Sequence, residues 1–196
     1  MAFASITTIK SRTAVLGAEN IDTDQIIAAR FLTTTSQDGL GQYAFYDWRY
    51  MQDGTLKSDS PLNASDIQER RILVGGANFG CGSSREHATW ALLDFGFRAV
   101  ISTDIADIFK NNALKNGLLA IEVDRETHEA LLATPGVEIE IDLPVQLVRL
   151  SNGRTVPFEI EAFAKSCLLN GVDTLGALLA QSEAIAAYER RRTVEG

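Results

Sequence analysis

Cysteine and histidine are scarce in this chain, which has two of each: Cys81 and Cys167, His87 and His128. Two cysteines cannot build a disulfide framework, and two histidines in unlike contexts complete no zinc-binding pattern with them. Any metal chemistry would therefore need another chain. Long apolar runs are missing as well. None approaches the ~18 residues that a membrane-spanning helix requires, so no membrane segment is expected. The opening stretch MAFASITTIKSRTAVLG has no basic segment followed by a continuous apolar core, which argues against a secretory signal and makes the cytoplasm the expected location. Without export, the Asn63-Ala64-Ser65 match to the glycosylation pattern has no physical consequence. Positive charge is the minority sign: 18 Lys and Arg against 26 Asp and Glu leave a net charge of −8, which disfavours nucleic acid as a partner. The one basic run, Arg190-Arg191-Arg192, complements the negative end of a C-terminal helix. No repeat, low-complexity tract or Pro/Gly/Ser-rich linker divides the chain. Its 196 residues suit one hydrophobic core, so a single domain over 1–196 is expected.

What is present reads as an α/β succession. Residues 13–16 make a short strand candidate leading into Asn20-Ile21-Asp22-Thr23-Asp24-Gln25-Ile26-Ile27, an acidic, hydroxyl-rich turn followed by an apolar pair. Residues 33–41 read as a loop, and the aromatic stretch 43–50 has mixed periodicity that fixes no element. A surface turn follows over 61–66. Alternation is clear from residue 71: strand 71–74, a glycine-rich loop, helix 84–96, strand 99–102, helix 105–115 closed by Asn116-Gly117, and strand 118–123. A helix near 127–133 precedes VEIEIDLPVQLVRL, a strand broken at Pro144. Ser151-Asn152-Gly153 then turns a hairpin into 154–160. A last helix is expected over 173–191, with Leu175, Leu178, Leu179 and Ile185 on one face.

The densest chemistry lies in the glycine-rich loop, GGANFGCGSSREH, between a strand and a helix. It is not a P-loop, because Cys81-Gly82 stands where the Lys and Ser/Thr should follow Gly80. It is not a dinucleotide fingerprint either, because Arg85 holds the third glycine position. What survives is an anion cradle: backbone N–H groups, the positive end of a helix and the cation of Arg85 meet at one point. The guanidinium fork pairs two carboxylate oxygens at once, so a small organic acid is the favoured ligand. Ser83 and Glu86 match the S-x-x-E capping box, which taken alone describes a helix start rather than catalysis. With two serines, either one can serve the helix while the other faces the ligand, and spacing leaves both assignments open. A serine hydroxyl acts as base only if its alkoxide is stabilised, which the N–H groups, helix dipole and Arg85 would do. His87 as a triad base lacks an acid to orient it. Cys81, beside a helix N-terminus, offers a thiol alternative, against its plainer reading as a small side chain between glycines. His128 reads as a solvated helix residue.

ILVGGANFGCGSSREHATWALLDFGFRAVIS resembles the motif region of the 3-isopropylmalate dehydratase small-subunit family, in the aconitase superfamily. Residues 20–32, the Tyr46-Asp47-Trp48-Arg49-Tyr50 segment, and the stretches 104–109 and 111–119 are similar to that family in order, so the resemblance spans nearly the whole chain. It implies a swivelling three-layer β/β/α domain with a mixed sheet that docks on a separate large subunit, forming a heterodimer. That partner would carry a [4Fe–4S] cluster, with no cofactor or metal bound by this chain. The implied reaction is a reversible dehydration and rehydration in leucine biosynthesis, a hydro-lyase activity present only with the large subunit. Position by position, Ser83 matches the serine base, and Ser84 and Arg85 match residues holding a substrate carboxylate. Asp24 matches an acidic residue at the site's edge, and Phe31, Leu32, Thr33 and Thr34 occupy the substrate-discriminating loop. Ala28 departs from the family's usual proline, leaving φ freer and adding an N–H. Related hydro-lyases acting on homoaconitate, dimethylmalate or citraconate-like acids remain rivals. So do a non-catalytic acid-binding module and a self-sufficient serine or cysteine hydrolase.

Overall fold

In the computed structural model, residues 3–32, 36–179 and 182 are described. Among the described residues, seven strands and seven α-helices follow in the order β1 (Thr8–Leu16), α1 (Thr23–Ile26), α2 (Tyr46–Arg49), β2 (Ile72–Gly75), α3 (Glu86–Phe95), β3 (Ala99–Ser102), α4 (Asp107–Asn116), β4 (Leu119–Glu122), α5 (Arg125–Leu132), β5 (Glu138–Asp142), β6 (Leu147–Arg149), β7 (Thr155–Pro157), α6 (Ala162–Asn170) and α7 (Thr174–Leu179). The strands form one mixed sheet in the order β4-β3-β2-β1-β5-β6-β7. β1 to β4 run parallel and β5 to β7 antiparallel. The expected mixed-sheet α/β class is thus borne out.

β1 joins the two halves, and its sequence changes character where its partners change. Over Thr8–Arg12 it pairs only with β5, and buried Ile9 and Ser11 alternate with exposed Thr8, Lys10 and Arg12. That is the pattern of a strand with one wet face. From Thr13 to Leu16 it pairs with β2 instead, and TAVL is buried almost throughout, as parallel strands covered on both faces must be. Only this second part carries the apolar run that a sequence reading detects, which is why the expected strand, 13–16, is half the length of the observed one.

Two apolar layers flank the sheet. Ala14, Leu16, Leu73, Val100 and Ala120 point to the side covered by α1, α3 and α4, where Ile26, Leu92, Phe95 and Phe109 pack. Ile72, Val74, Ile101 and Ile121 point to the other, where β5 and β6 curl over with Ile139, Ile141 and Val148, and α5 and α6 add Leu131 and Leu168.

Several local expectations change. The aromatic stretch resolves into a 3-10 turn over Gly41–Tyr43 and the short α2. The turn at residue 61 winds into a 3-10 helix over Pro61–Asn63, with proline near its start. Pro144 breaks the long strand into the β5–β6 hairpin, as expected, and residues 151–153 turn β6 into β7. Gly117 closes α4 in the left-handed conformation. α6, absent from the sequence reading, starts at a cap: the Glu161 carboxylate accepts from the N–H groups of Phe163 and Ala164. Its mixed composition carries little of the apolar stripe that announces a helix. Of the expected 173–191 helix, Thr174–Leu179 is described, and there Leu175, Leu178 and Leu179 are exposed rather than packed. Ile185 and the arginine run lie outside the described residues. His128 is not solvated. It is 5% exposed, and its Nε2 lies 2.7 Å from the Gly75 carbonyl, behind the last residue of β2.

Thr13 sits where β1 changes partner, fully buried, and its hydroxyl has no hydrogen-bond partner among the described residues. An unpaired buried hydroxyl costs about 1 to 2 kcal/mol. Thr13→Val should therefore raise the urea midpoint by that equivalent with the m-value unchanged. A lowered midpoint would mean that the hydroxyl is satisfied.

Candidate active site

The glycine-rich loop, residues 76–85, crosses the carboxyl ends of β1, β2 and β3, where open α/β sheets place their ligand crevices. Its backbone is clamped from both sides. Toward the segment after β1, Asn20 N–H donates to the Ala77 carbonyl at 2.8 Å, Gly80 N–H to Ile21 at 2.8 Å and Thr23 N–H to Cys81 at 2.9 Å. Toward the segment after β3, Phe79 N–H donates to the Asp104 carbonyl at 2.9 Å, and Ala106 N–H to Phe79 at 3.0 Å. Ser102 Oγ donates to the Gly76 carbonyl at 2.8 Å, fixing the root of the loop.

This clamping explains two of the glycines. Gly80 and Gly82 both have left-handed φ, +74° and +87°, and neither has room for a Cβ. At Gly80 it would strike the Phe109 ring, and at Gly82 the Asp22 carboxylate. Asp22 is itself occupied. It caps α1, with Oδ1 accepting from Asp24 N–H while Gln25 Oε1 accepts from Asp22 N–H, a reciprocal box. The D-x-x-Q pattern is visible in the sequence, though the box that drew attention there was the one at Ser83.

That second box does not form. α3 begins at Glu86, two residues later than expected, with Arg85 at the N-cap and no cap from its side chain. The Ser83 carbonyl accepts from Thr23 Oγ1 at 2.9 Å, which ties residue 83 to α1. Glu86 turns toward α4 instead: its carboxylate accepts from Asn116 Nδ2, while Asn116 Oδ1 accepts from Trp90 Nε1, both at 2.9 Å. Ser83 and Ser84 are consequently both exposed, and neither hydroxyl is hydrogen-bonded among the described residues. Arg85 gives the helix no side-chain cap, and the positive end of this ten-residue helix lies beside the two serine hydroxyls.

Arg85 is brought to Asp24. Its Nη1 donates to Asp24 Oδ1 and reaches the Ile27 carbonyl at 3.5 Å, and its side chain is 17% exposed. Hydrogen bonding to Arg85, with that guanidinium's charge, holds the Asp24 carboxyl below the ordinary aspartate range. Among the described residues, the bonds of Arg85 engage Nη1 alone and leave the other edge of the fork for a ligand. Cys81 goes the opposite way from the thiol reading: burial and the Asp22 charge push its pKa up, which disfavours a thiolate. His87 packs against Trp90, the rings tilted 52° with centroids 4.7 Å apart.

Phe31 and Leu32 are half-buried against the core around α1. Phe31 stacks on Tyr43 at 4.3 Å. The guanidinium of Arg30 lies 4.6 Å over the Phe31 ring and pairs with Asp47 at 2.5 Å, so it is neutralised next to the loop. Thr33 and Thr34 lie outside the described residues. The loop's scaffold also escaped sequence reading. Arg49, buried, donates through Nη1 to the carbonyls of Gln42 and Ala44 at 3.2 and 3.1 Å, and burial lowers its pKa. Nothing in the sequence distinguishes it from a surface arginine except the aromatic residues around it. Among the described residues, no group of three or more His, Cys, Asp or Glu could hold a metal ion, and Cys81 and Cys167 lie on different elements.

The aconitase C-terminal domain model matches residues 4–126, and a LeuD_N model matches 129–162. A 3-isopropylmalate dehydratase small subunit from Anaeromyxobacter dehalogenans is 58% identical over 187 residues, 95% of this chain and 98% of that one. The chain belongs to the 3-isopropylmalate dehydratase small-subunit family. Another family member, from Chloroflexus aggregans, is 54% identical over 188 residues, covering 94% of this chain and 92% of that one. The crystal structure of the 3-isopropylmalate dehydratase (leuD) from Methanocaldococcus jannaschii superposes with a TM-score of 0.69 at 28% identity, covering 93% and 99% of the two chains. Family membership makes this a small subunit of a hydro-lyase. No helix among its described residues is long and apolar enough to cross a membrane.

The Arg85–Asp24 pair links stability to pH. A carboxyl whose folded pKa is depressed contributes fully above its unfolded pKa and loses that contribution as pH falls through the folded value. Asp24→Asn should therefore be less stable than the parent at neutral pH, and the gap should close on acidification below the ordinary aspartate range. Urea midpoints measured across that window check it, and a gap that does not change with pH counts against the pair.

Proposed function

We propose that Ser83 is the base of the dehydratase reaction, that Ser84 and Arg85 hold a substrate carboxylate, and that Asp24 anchors Arg85 at the edge of the site. The observation that carries this reading is the start of α3, where two exposed hydroxyls with no hydrogen bond among the described residues and an anchored guanidinium lie beside the positive end of the helix. A carboxylate paired with the outer edge of Arg85 would set the carbon beside it against the serine oxygen. Helix N–H groups and the guanidinium lower the energy of the serine alkoxide, which takes the proton from that carbon. The electron pair left behind forms a carbon–carbon double bond as the hydroxyl on the neighbouring carbon departs. Return of the hydroxide with the opposite orientation to the carbon that lost the proton, and return of the proton from Ser83 to the carbon that lost the hydroxyl, complete the isomerisation.

A separate large subunit carrying a [4Fe–4S] cluster completes the heterodimer in the cytoplasm, and that cluster supplies Lewis-acid assistance to the departing hydroxyl. The exposure of both serines suits such a division. As substrate, 2-isopropylmalate is favoured over acids with an additional carboxylate. Phe31 and Leu32 offer apolar surface, and the neighbouring Arg30 is neutralised by Asp47.

Reconstitution with the iron–sulfur large subunit tests the assignment. The chain alone should show no turnover. With the partner, Ser83→Ala should lower kcat by at least about a hundredfold with subunit association retained. Arg85→Lys should chiefly raise KM through loss of the two-pronged contact. Near-normal turnover in Ser83→Ala would remove the proposed base, and a preference for homoaconitate or citraconate over isopropylmalate would overturn the substrate.

A further inference from the structure

At the end of the sheet opposite Ser83, the partner change in β1 opens a cleft. β1 gains β2 as a neighbour only from Thr13, because β2 begins at Ile72, so its edge before Thr13 has no strand beside it on the β2 side. The residues just ahead of β2 and β3, Arg71 and Arg98, wall this gap, and Ala4, Ser5 and Ile6 close it from the N-terminal side. Its volume is about 310 Å³, at the small end of ligand pockets. The lining contains Lys10, Arg71 and Arg98 and no carboxylate.

Two guanidiniums without an acidic partner are unexpected in a chain of net charge −8. Close by, Arg12 and Arg70 share Asp66, the usual solution for guanidiniums held near one another. Lys10, at the rim, pairs with Glu138 at 3.2 Å. Arg71 and Arg98 make no ion pair among the described residues. Arg98 is partly buried and fixed: Nη1 donates to the carbonyls of Leu93 and Phe97 at 2.9 and 2.7 Å, while no described group accepts from Nε or Nη2. Burial, and then the charge of Arg71, lower its pKa, the mark of like charges crowded without compensation. A bound anion would remove that repulsion and occupy the free edge of the fork.

We propose that this cleft is an anion site, separate from Ser83, which takes a small multivalent oxyanion between Arg71 and the free edge of Arg98. Phosphate esters and polycarboxylates share the paired oxygens it would grip. The test titrates the full-length chain with inorganic pyrophosphate and, separately, with citrate, at ionic strength held constant with potassium chloride, following backbone amide shifts. At least one of the two should produce saturable shifts at residues 71 and 98, equally in an Arg85→Ser background, and the tighter of them names the oxyanion class. Arg71→Ser is the decisive variant, because its side chain is exposed whereas Arg98 also holds two carbonyls. It should weaken binding about tenfold or more while leaving turnover of the reconstituted enzyme unchanged. Equal binding by Arg71→Ser, shifts confined to residues 83–85, or the same response to potassium chloride alone would each overturn the proposal.

Discussion

Peptide hydrogen bonds that pin the glycine-rich loop between the segments after β1 and β3 are the constraint on which the rest of the site depends. A loop of this composition has many accessible conformations, and ordering it is entropically expensive. Here the ordering is done by backbone donors and acceptors from two neighbouring turns, and those turns are placed by the parallel strands before them. The chemistry-bearing side chains are thereby relieved of structural work. Thr23 holds residue 83 by its carbonyl, leaving the hydroxyl loose, and Asn116 draws Glu86 away from the helix start it was expected to cap.

Much of this was legible in the residues. Strong alternation over 71–123 marks the parallel half correctly, because strands buried on both faces must be continuously apolar. The motif residues that come together, Asp24 with Arg85, do so across 61 positions of chain that no spacing argument could join. What escaped reading was what depends on tertiary partners. Ser83 and Glu86 satisfy a local capping rule, yet competing bonds from Thr23 and Asn116 override it. His128 looks solvated within Glu-Thr-His-Glu, yet α5 turns it inward onto the Gly75 carbonyl. The polar half of β1 alternates too weakly in hydrophobicity to announce itself, although it carries the antiparallel half of the sheet.

The site as it stands is one wall. Its cation, hydroxyls and helix end sit on the surface, with Phe31 and Leu32 half-buried to one side. A surface serine gains little electrostatic help while water screens its neighbours, and the same groups act far more strongly once a second surface excludes that water. On the proposed assignment, this gives a physical reason for the site to be left open in a small subunit: its groups would become effective only on assembly.

The dual pairing of β1 also bears on how the polypeptide is made. Residues 8–16 leave the ribosome well before their partners, which begin at Ile72 on one side and end at Asp142 on the other. During synthesis this segment must wait for most of the molecule before its hydrogen-bonding edges are covered, a long-range dependence that slows folding. Threonine, lysine, serine and arginine along its early half would keep the waiting edge hydrated, so the residues that made this strand hard to recognise also protect the nascent chain from aggregation.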